Sequence, residues 1–142
     1  MLFLWIFGNN VEDRLGEIRY LLLYFAAGIC GSLLQVFIDP SSQVPNLGAS
    51  GAISGVMAAY VLYFPRARVL TYIVPIFFVT LSALFFIGYW IVLQAIQAYL
   101  SIGVQGGGVA FFAHVGGFLS GLLLAFVFRP RTTHYPVIDY RS

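Results

Sequence analysis

The sequence predicts an all-α polytopic membrane protein: four full transmembrane helices preceded by the end of another. Three observations carry this expectation. Hydrophobic residues make up 61% of the chain and charged residues 8%, where a soluble domain carries about 25% charged residues. The charges are clumped, since residues 69–128 contain no Asp, Glu, Lys or Arg, and Pro40 to Pro65 is a second uncharged run. Uncharged apolar stretches of about 18 or more residues read as membrane spans.

Composition also excludes function classes. The basic residues are all arginine and form no patch, so nucleic acid is not an expected partner. Cys30 stands alone, which rules out an internal disulfide and a cysteine metal cluster. Inert packing is its expected role, and neither a cofactor nor a metal is expected. Met1–Phe7 lacks the basic leader of a signal peptide and is too short to span.

The elements follow in order. Met1–Phe7 reads as the end of a helix closed by Gly8-Asn9-Asn10. A chain opening this way is expected to continue upstream in the native protein. Val11–Arg19 holds the densest charge cluster and is expected in water or headgroups. Tyr20–Ile38 is a span, and Asp39–Asn46 is a turn-rich loop. Gly48–Phe64 is a second, shorter span, ended by Pro65-Arg66-Ala67-Arg68. Val69–Ser101 is too long for one span and short for two; Pro75 divides it, and Leu84–Leu100 would make a helix by itself. Gly103–Gly108 reads as a flexible loop, and Ala113–Phe128 as the last span. Residues 1–128 are thus a membrane domain, and residues 129–142 a polar cytoplasmic tail.

The arginines set the expected topology. They fall at Arg14 and Arg19, at Arg66 and Arg68, and at Arg129, Arg131 and Arg141. Cytoplasmic loops are enriched in such residues. All seven face inward if Val69–Ser101 crosses once, its first part lying in the interface or folding back. Ser50 and His114 then both begin their helices on the outer side.

Two small-residue stripes carry the chemistry. Gly51, Gly55 and Ala59 recur every fourth residue on one helix, and Ala113, Gly117, Gly121 and Ala125 on the other. Lipid gives helices no hydrophobic reason to associate, so small residues that permit close backbone approach drive their packing. Such stripes are common and by themselves structural. A histidine inside a span, however, is a functional hypothesis by default, whereas a serine can simply bond back to its own helix. At equal depth on facing stripes, Ser50 and His114 form a possible nucleophile and base. Ser54, one turn deeper, lies farther from water. The soluble elbow Gly-x-Ser-x-Gly does not fit, because Ala52 stands where its second glycine belongs.

Gly48-Ala49-Ser50-Gly51, with Ala113-His114-x-x-Gly117-x-x-x-Gly121 downstream, resembles the rhomboid family of intramembrane serine proteases. Gly8-Asn9-Asn10-Val11-Glu12-Asp13-Arg14-Leu15-Gly16 is similar to the family's segment after its second core helix. The resemblance covers Met1 to about Phe128 and implies a rhomboid-like helical bundle, incomplete at its N-terminus. It implies Ser50 as nucleophile and His114 as general base and then acid, in a dyad. Oxyanion support would come from backbone around Gly48, Ala49 and Gly51, and helix packing from Gly55, Gly117 and Gly121. Two departures are visible. The family's oxyanion histidine and asparagine would precede Met1, and a tyrosine that some members place under the histidine is here Ser54, so His114 needs other support. A remnant lacking those upstream helices is expected to be less stable and inactive. Asp39 is a weak candidate orienter in a flexible turn. The Gly103–Phe112 segment is a lid or an ordinary connector. Gln94 and Gln97 read as interhelical hydrogen-bonding glue on a helix that resembles a substrate gate.

The expected function is an intramembrane serine endopeptidase that cleaves transmembrane segments of membrane proteins, with those proteins and the lipid bilayer as partners. The alternative is a non-catalytic rhomboid-like protein that binds membrane clients. A channel lacks support, since no charged residue lies within a span. The expected setting is a bacterial or archaeal plasma membrane. The sequence does not determine the oligomeric state.

Overall fold

The computed structural model describes residues 2–40, 49–73, 77–102 and 110–129. The Ser41–Gly48 part of the outer loop, the glycine run at 103–109 and the tail beyond Arg129 lie outside them. The order of elements is α1 (Leu2–Leu15), α2 (Glu17–Ile38), α3 (Ser50–Tyr63), β1 (Arg68–Ile73), β2 (Phe77–Ser82), α4 (Ala83–Leu100) and α5 (Phe111–Val127).

The first helix runs through Gly8-Asn9-Asn10, where the sequence pattern suggested an end. Gly8 serves close packing there: it is buried, and a Cβ on it would lie 2.8 Å from the Tyr20 hydroxyl. The turn comes at Gly16, whose φ of 80° lies in the left-handed region that glycine enters at little cost. Its N–H still reaches Glu12 O at 2.7 Å, closing α1. The charge cluster is therefore amphipathic. Asp13, Glu17 and Arg19 are exposed while Val11 and Leu15 join the core.

The third helix is the axis of the bundle. Nine of its fourteen residues are buried, including Gly55, Val56, Met57, Ala58 and Tyr60. It touches α1, α2, α4 and α5. Leu23, Ala27, Gly31 and Gln35 form the buried stripe of α2, spaced four apart. At the other end of the bundle, Phe7 packs on Tyr60 with ring centroids 4.8 Å apart, and Phe86 of α4 reaches both Phe3 and Phe7. Outward-facing positions are apolar too, such as Phe25, Ile29, Leu33 and Phe37 on α2 and Leu119, Leu123 and Phe126 on α5. A surface of that kind suits lipid.

One expectation is corrected and a second stands in part. The chain is not purely helical, because Arg68–Ser82 folds into an antiparallel hairpin with Arg68 opposite Ser82 and Leu70 opposite Thr80. Its β-branched and aromatic residues favour strands, and strand pairing satisfies backbone groups that an open loop beside lipid would leave bare. The ambiguous run folds back on itself before α4, which Ser82 caps by accepting from Phe85 N–H. Second, among the described residues only α2 and α4 are long and apolar enough to cross a membrane, while α3 and α5 are shorter apolar helices, so the helical membrane bundle is shown and four full spans are not. A 14-residue helix such as α3 covers about 21 Å, less than the roughly 30 Å hydrocarbon core. Sheathed by four other helices, α3 has no need to reach both surfaces. Cys30 departs from expectation as well, being exposed rather than packed.

The ends of the bundle are chemically distinct. Arg14, Arg19 and Arg129 lie within electrostatic reach of Tyr63 at the end of α3, and the Tyr63 hydroxyl donates to Ala125 O near the end of α5. The starts of α3 and α5 lie together at the opposite end.

We expect Gly121→Val to lower the thermal midpoint in detergent, by about 1–3 kcal/mol of stability or more, since a Cβ there meets the Gly55 backbone. Gly88→Ala, with nothing within 4 Å of the added carbon, should leave the midpoint unchanged or raise it. Equal effects of the two would contradict the packing.

Candidate active site

The site is built where α3 and α5 approach backbone to backbone. A Cβ on Gly51 would lie 3.1 Å from Ala113 O, one on Gly117 2.7 Å from the Gly51 carbonyl carbon, and one on Gly121 2.6 Å from Gly55 O. The two stripes thus face each other with the helices running in the same direction, Gly51 beside Ala113 and Gly117 and Gly55 beside Gly117 and Gly121. The second helix joins them, since a Cβ on Gly31 would lie 3.1 Å from Gly117 N. Sequence reasoning missed this third stripe, although Ala27 and Gly31 carried the same four-residue signal.

That register brings Ser50 and His114 to one end, each next to a residue of the Gly51–Ala113 contact. Ser50 is the exposed first residue of α3 and His114 is half-buried in the first turn of α5. Among the described residues, no hydrogen bond joins their side chains. Ala49 precedes α3 and provides no side-chain cap, and Ala110 likewise leaves α5 uncapped. The first N–H groups of a helix have no intrahelical acceptor, and its N-terminus carries partial positive charge. Ile53 N already bonds Ala49 O at 2.8 Å, so among the described residues the α3 donors without an acceptor are those around Ser50 and Gly51. Gly48 lies outside the described residues.

His114 is held from two sides. Fully buried Ser54 donates its hydroxyl to His114 O at 2.8 Å. This engagement and burial leave Ser50 as the accessible serine of α3. The ring is held by α4: His114 Nδ1 lies 2.6 Å from Gln94 Oε1, and the Trp90 ring tilts against the imidazole at a centroid distance of 5.7 Å. Trp90 and Gln94 are four residues apart and share a helix face. Gln94 thus makes the interhelical hydrogen bond expected of it, with His114 as its partner, while Gln97 is exposed. Asp39 is the C-cap of α2, and its N–H bonds Gln35 O at 2.9 Å. The Nδ1 of the His114 ring is taken by Gln94.

The family model described as Rhomboid domain matches residues 1–131. The chain is 31% identical over 129 residues to Rhomboid protein 1, mitochondrial, of Saccharomyces cerevisiae, covering 87% of this chain and 35% of that protein. It is 35% identical over 139 residues to RHOMBOID-like protein 1 of Arabidopsis thaliana, covering 95% of this chain and 32% of that one. A shorter match, 46% over 56 residues, joins it to Rhomboid protease GluP of Bacillus subtilis, covering 39% of this chain and 10% of the protease. The chain thus spans about a third of the length of the yeast and plant relatives. No solved structure matches it. These relatives overturn the bacterial or archaeal plasma membrane expected from the sequence, because those matched along most of the chain are mitochondrial or from a plant. Arginine placement orients a protein within a membrane but does not say which membrane it is.

Ser54→Ala should cost about 0.5–1.5 kcal/mol of stability, the net worth of one hydrogen bond, read as a small fall in thermal midpoint. A fall as large as that of Gly121→Val would show that Ser54 does more than tie α3 to α5.

Proposed function

Because the chain belongs to the rhomboid family, we propose that it is an intramembrane serine endopeptidase, with Ser50 as nucleophile and His114 as general base. The observation that carries this reading is the pairing of an exposed serine and an oriented histidine at two adjacent, uncapped helix starts. Uncapped N–H groups in an apolar setting are costly. They become an asset where an anion must form.

In the proposed reaction, Ser50 Oγ attacks the scissile carbonyl carbon while His114 Nε2 takes the hydroxyl proton. The resulting oxyanion is received by the free N–H groups at the start of α3, already aimed and needing no reorganisation. His114 then gives its proton to the leaving amine, and an acyl-enzyme remains on Ser50. Water attacks that ester with the roles of His114 repeated, releasing the second product and restoring the hydroxyl. The scissile bond would belong to the transmembrane segment of another membrane protein, near the bundle end opposite the arginines. Substrate helices with small residues there unwind most readily and leave room at Ser50. Across the membrane, α2 and α4 would span directly, and α3 and α5 within the shelter of the bundle.

The test is labelling of the detergent-purified chain with a fluorophosphonate, together with cleavage of a model transmembrane substrate. We expect labelling that disappears in Ser50→Ala, drops at least 100-fold in His114→Ala, in line with the roughly 10²–10⁴-fold worth of a general base, and persists in Ser54→Ala. Labelling that survives Ser50→Ala, or no labelling even when the chain is extended by its upstream native segment, would contradict the protease reading. Capture of membrane clients without cleavage would favour the binding alternative.

A further inference from the structure

We propose that Gln94 is the positioning residue of the site, completing a Ser50–His114–Gln94 arrangement in which an amide does the work usually given to a carboxylate. The inference rests on the serine-nucleophile reading for its catalytic consequence, and on geometry alone for its structural one.

A neutral imidazole carries one proton on either of its two nitrogens, and a base must present the unprotonated one to the nucleophile. Gln94 Oε1 can only accept a hydrogen bond, and it sits 2.6 Å from His114 Nδ1. Nδ1 therefore carries the proton, and Nε2 is left with the lone pair that can take the Ser50 proton. Trp90, one turn earlier on the same face of α4, limits rotation of the ring. Ser54 fixes the backbone carbonyl of the same residue from the opposite side. Tautomer, ring rotation and backbone position are thus set by three different side chains.

The choice of an amide has a physical reason. When the proton reaches Nε2, the Nδ1–H bond to an amide oxygen still stabilises the imidazolium through the carbonyl dipole. A carboxylate would do so more strongly, but a charged acid inside a membrane bundle is expensive when the histidine is neutral. An amide supplies the acceptor without that standing cost. The same logic operates where an asparagine orients a catalytic histidine in soluble cysteine proteases.

The placement of Gln94 also separates positioning from folding. The fourth helix buries only Ala83, Ile87 and Ala98 fully, and Gln94 itself is half-buried. An apolar side chain of similar size at position 94 should therefore leave the bundle intact.

The experiment compares wild type, Gln94→Leu and Gln94→Glu in the full chain, in detergent. The rate of fluorophosphonate labelling and the kcat and KM for a model substrate are measured beside the thermal midpoint. The ¹⁵N spectrum of His114 is recorded in a His134→Ala background, which removes the other of the two histidines. We expect Gln94→Leu to lower kcat and labelling rate on the order of 10- to 100-fold, part of what a general base supplies, with KM and midpoint unchanged. Gln94→Glu, which keeps an acceptor on Nδ1, should recover most of the rate. The spectrum should show protonated Nδ1 and unprotonated Nε2 in wild type, and a mixture of tautomers in Gln94→Leu.

Wild-type labelling rates in Gln94→Leu, or equal losses in both variants with a lowered midpoint, would overturn the proposal. An unchanged tautomer in Gln94→Leu would also overturn it. If wild type does not label but its tautomer depends on Gln94, the positioning role stands and the protease reading falls.

Discussion

Everything in this molecule depends on two helices approaching until their backbones touch. In lipid there is no water to expel, so association rests on packing and on polar contacts between helices. Gly51 and Gly55 on α3, set against Ala113, Gly117 and Gly121 on α5, remove the side chains that would hold the helices apart. With Ala27 and Gly31 of α2 in the same seam, three helices share one line of small residues. The closeness has a chemical use. Ser50 and His114 adjoin the Gly51–Ala113 contact, so the packing that stabilises the bundle also brings the proposed nucleophile and base to one end of it.

The site follows from what the helix ends lack as much as from what they hold. The third and fifth helices begin without side-chain caps, whereas α4, which bears no reacting group, is capped by Ser82. Free N–H groups beside Ser50 fit a reaction that creates an oxyanion. Two polar side chains are spent on His114: Ser54 on its carbonyl and Gln94 on its ring. In an apolar protein such contacts are few, and two of them converge on one residue.

Much of this was legible in the sequence because membrane packing leaves a simple record. Small residues recurring every fourth position declare a face, and a lone histidine among apolar residues declares a purpose. What escaped did so for physical reasons. The hairpin at Arg68–Ser82 was hidden because an uncharged apolar run reads as a helix by default, and hydropathy does not separate strand from helix there. Gly8 looked like a helix end because glycine both terminates and packs, and only its neighbour Tyr20 decides which. Gln94 was set aside as glue because its value depends on the rotation of α4 about its axis. An almost uniformly apolar helix carries little information about that rotation. The Ala27 and Gly31 stripe, by contrast, was readable and passed over. The membrane in which the chain resides was not encoded in the features read, and the mitochondrial and plant relatives corrected the expectation.

The central claim is that glycine packing between α3 and α5 sets the distance between Ser50 and His114. The most direct measurement is thiol cross-linking of Ser50→Cys and His114→Cys, with Cys30 replaced by serine, using a short bifunctional methanethiosulfonate in detergent and in liposomes. Rapid cross-linking is predicted, becoming slow when Gly117→Leu is added, since a side chain there meets the Gly51 backbone. Absence of cross-linking, or the same rate with the stripe filled, would contradict the account.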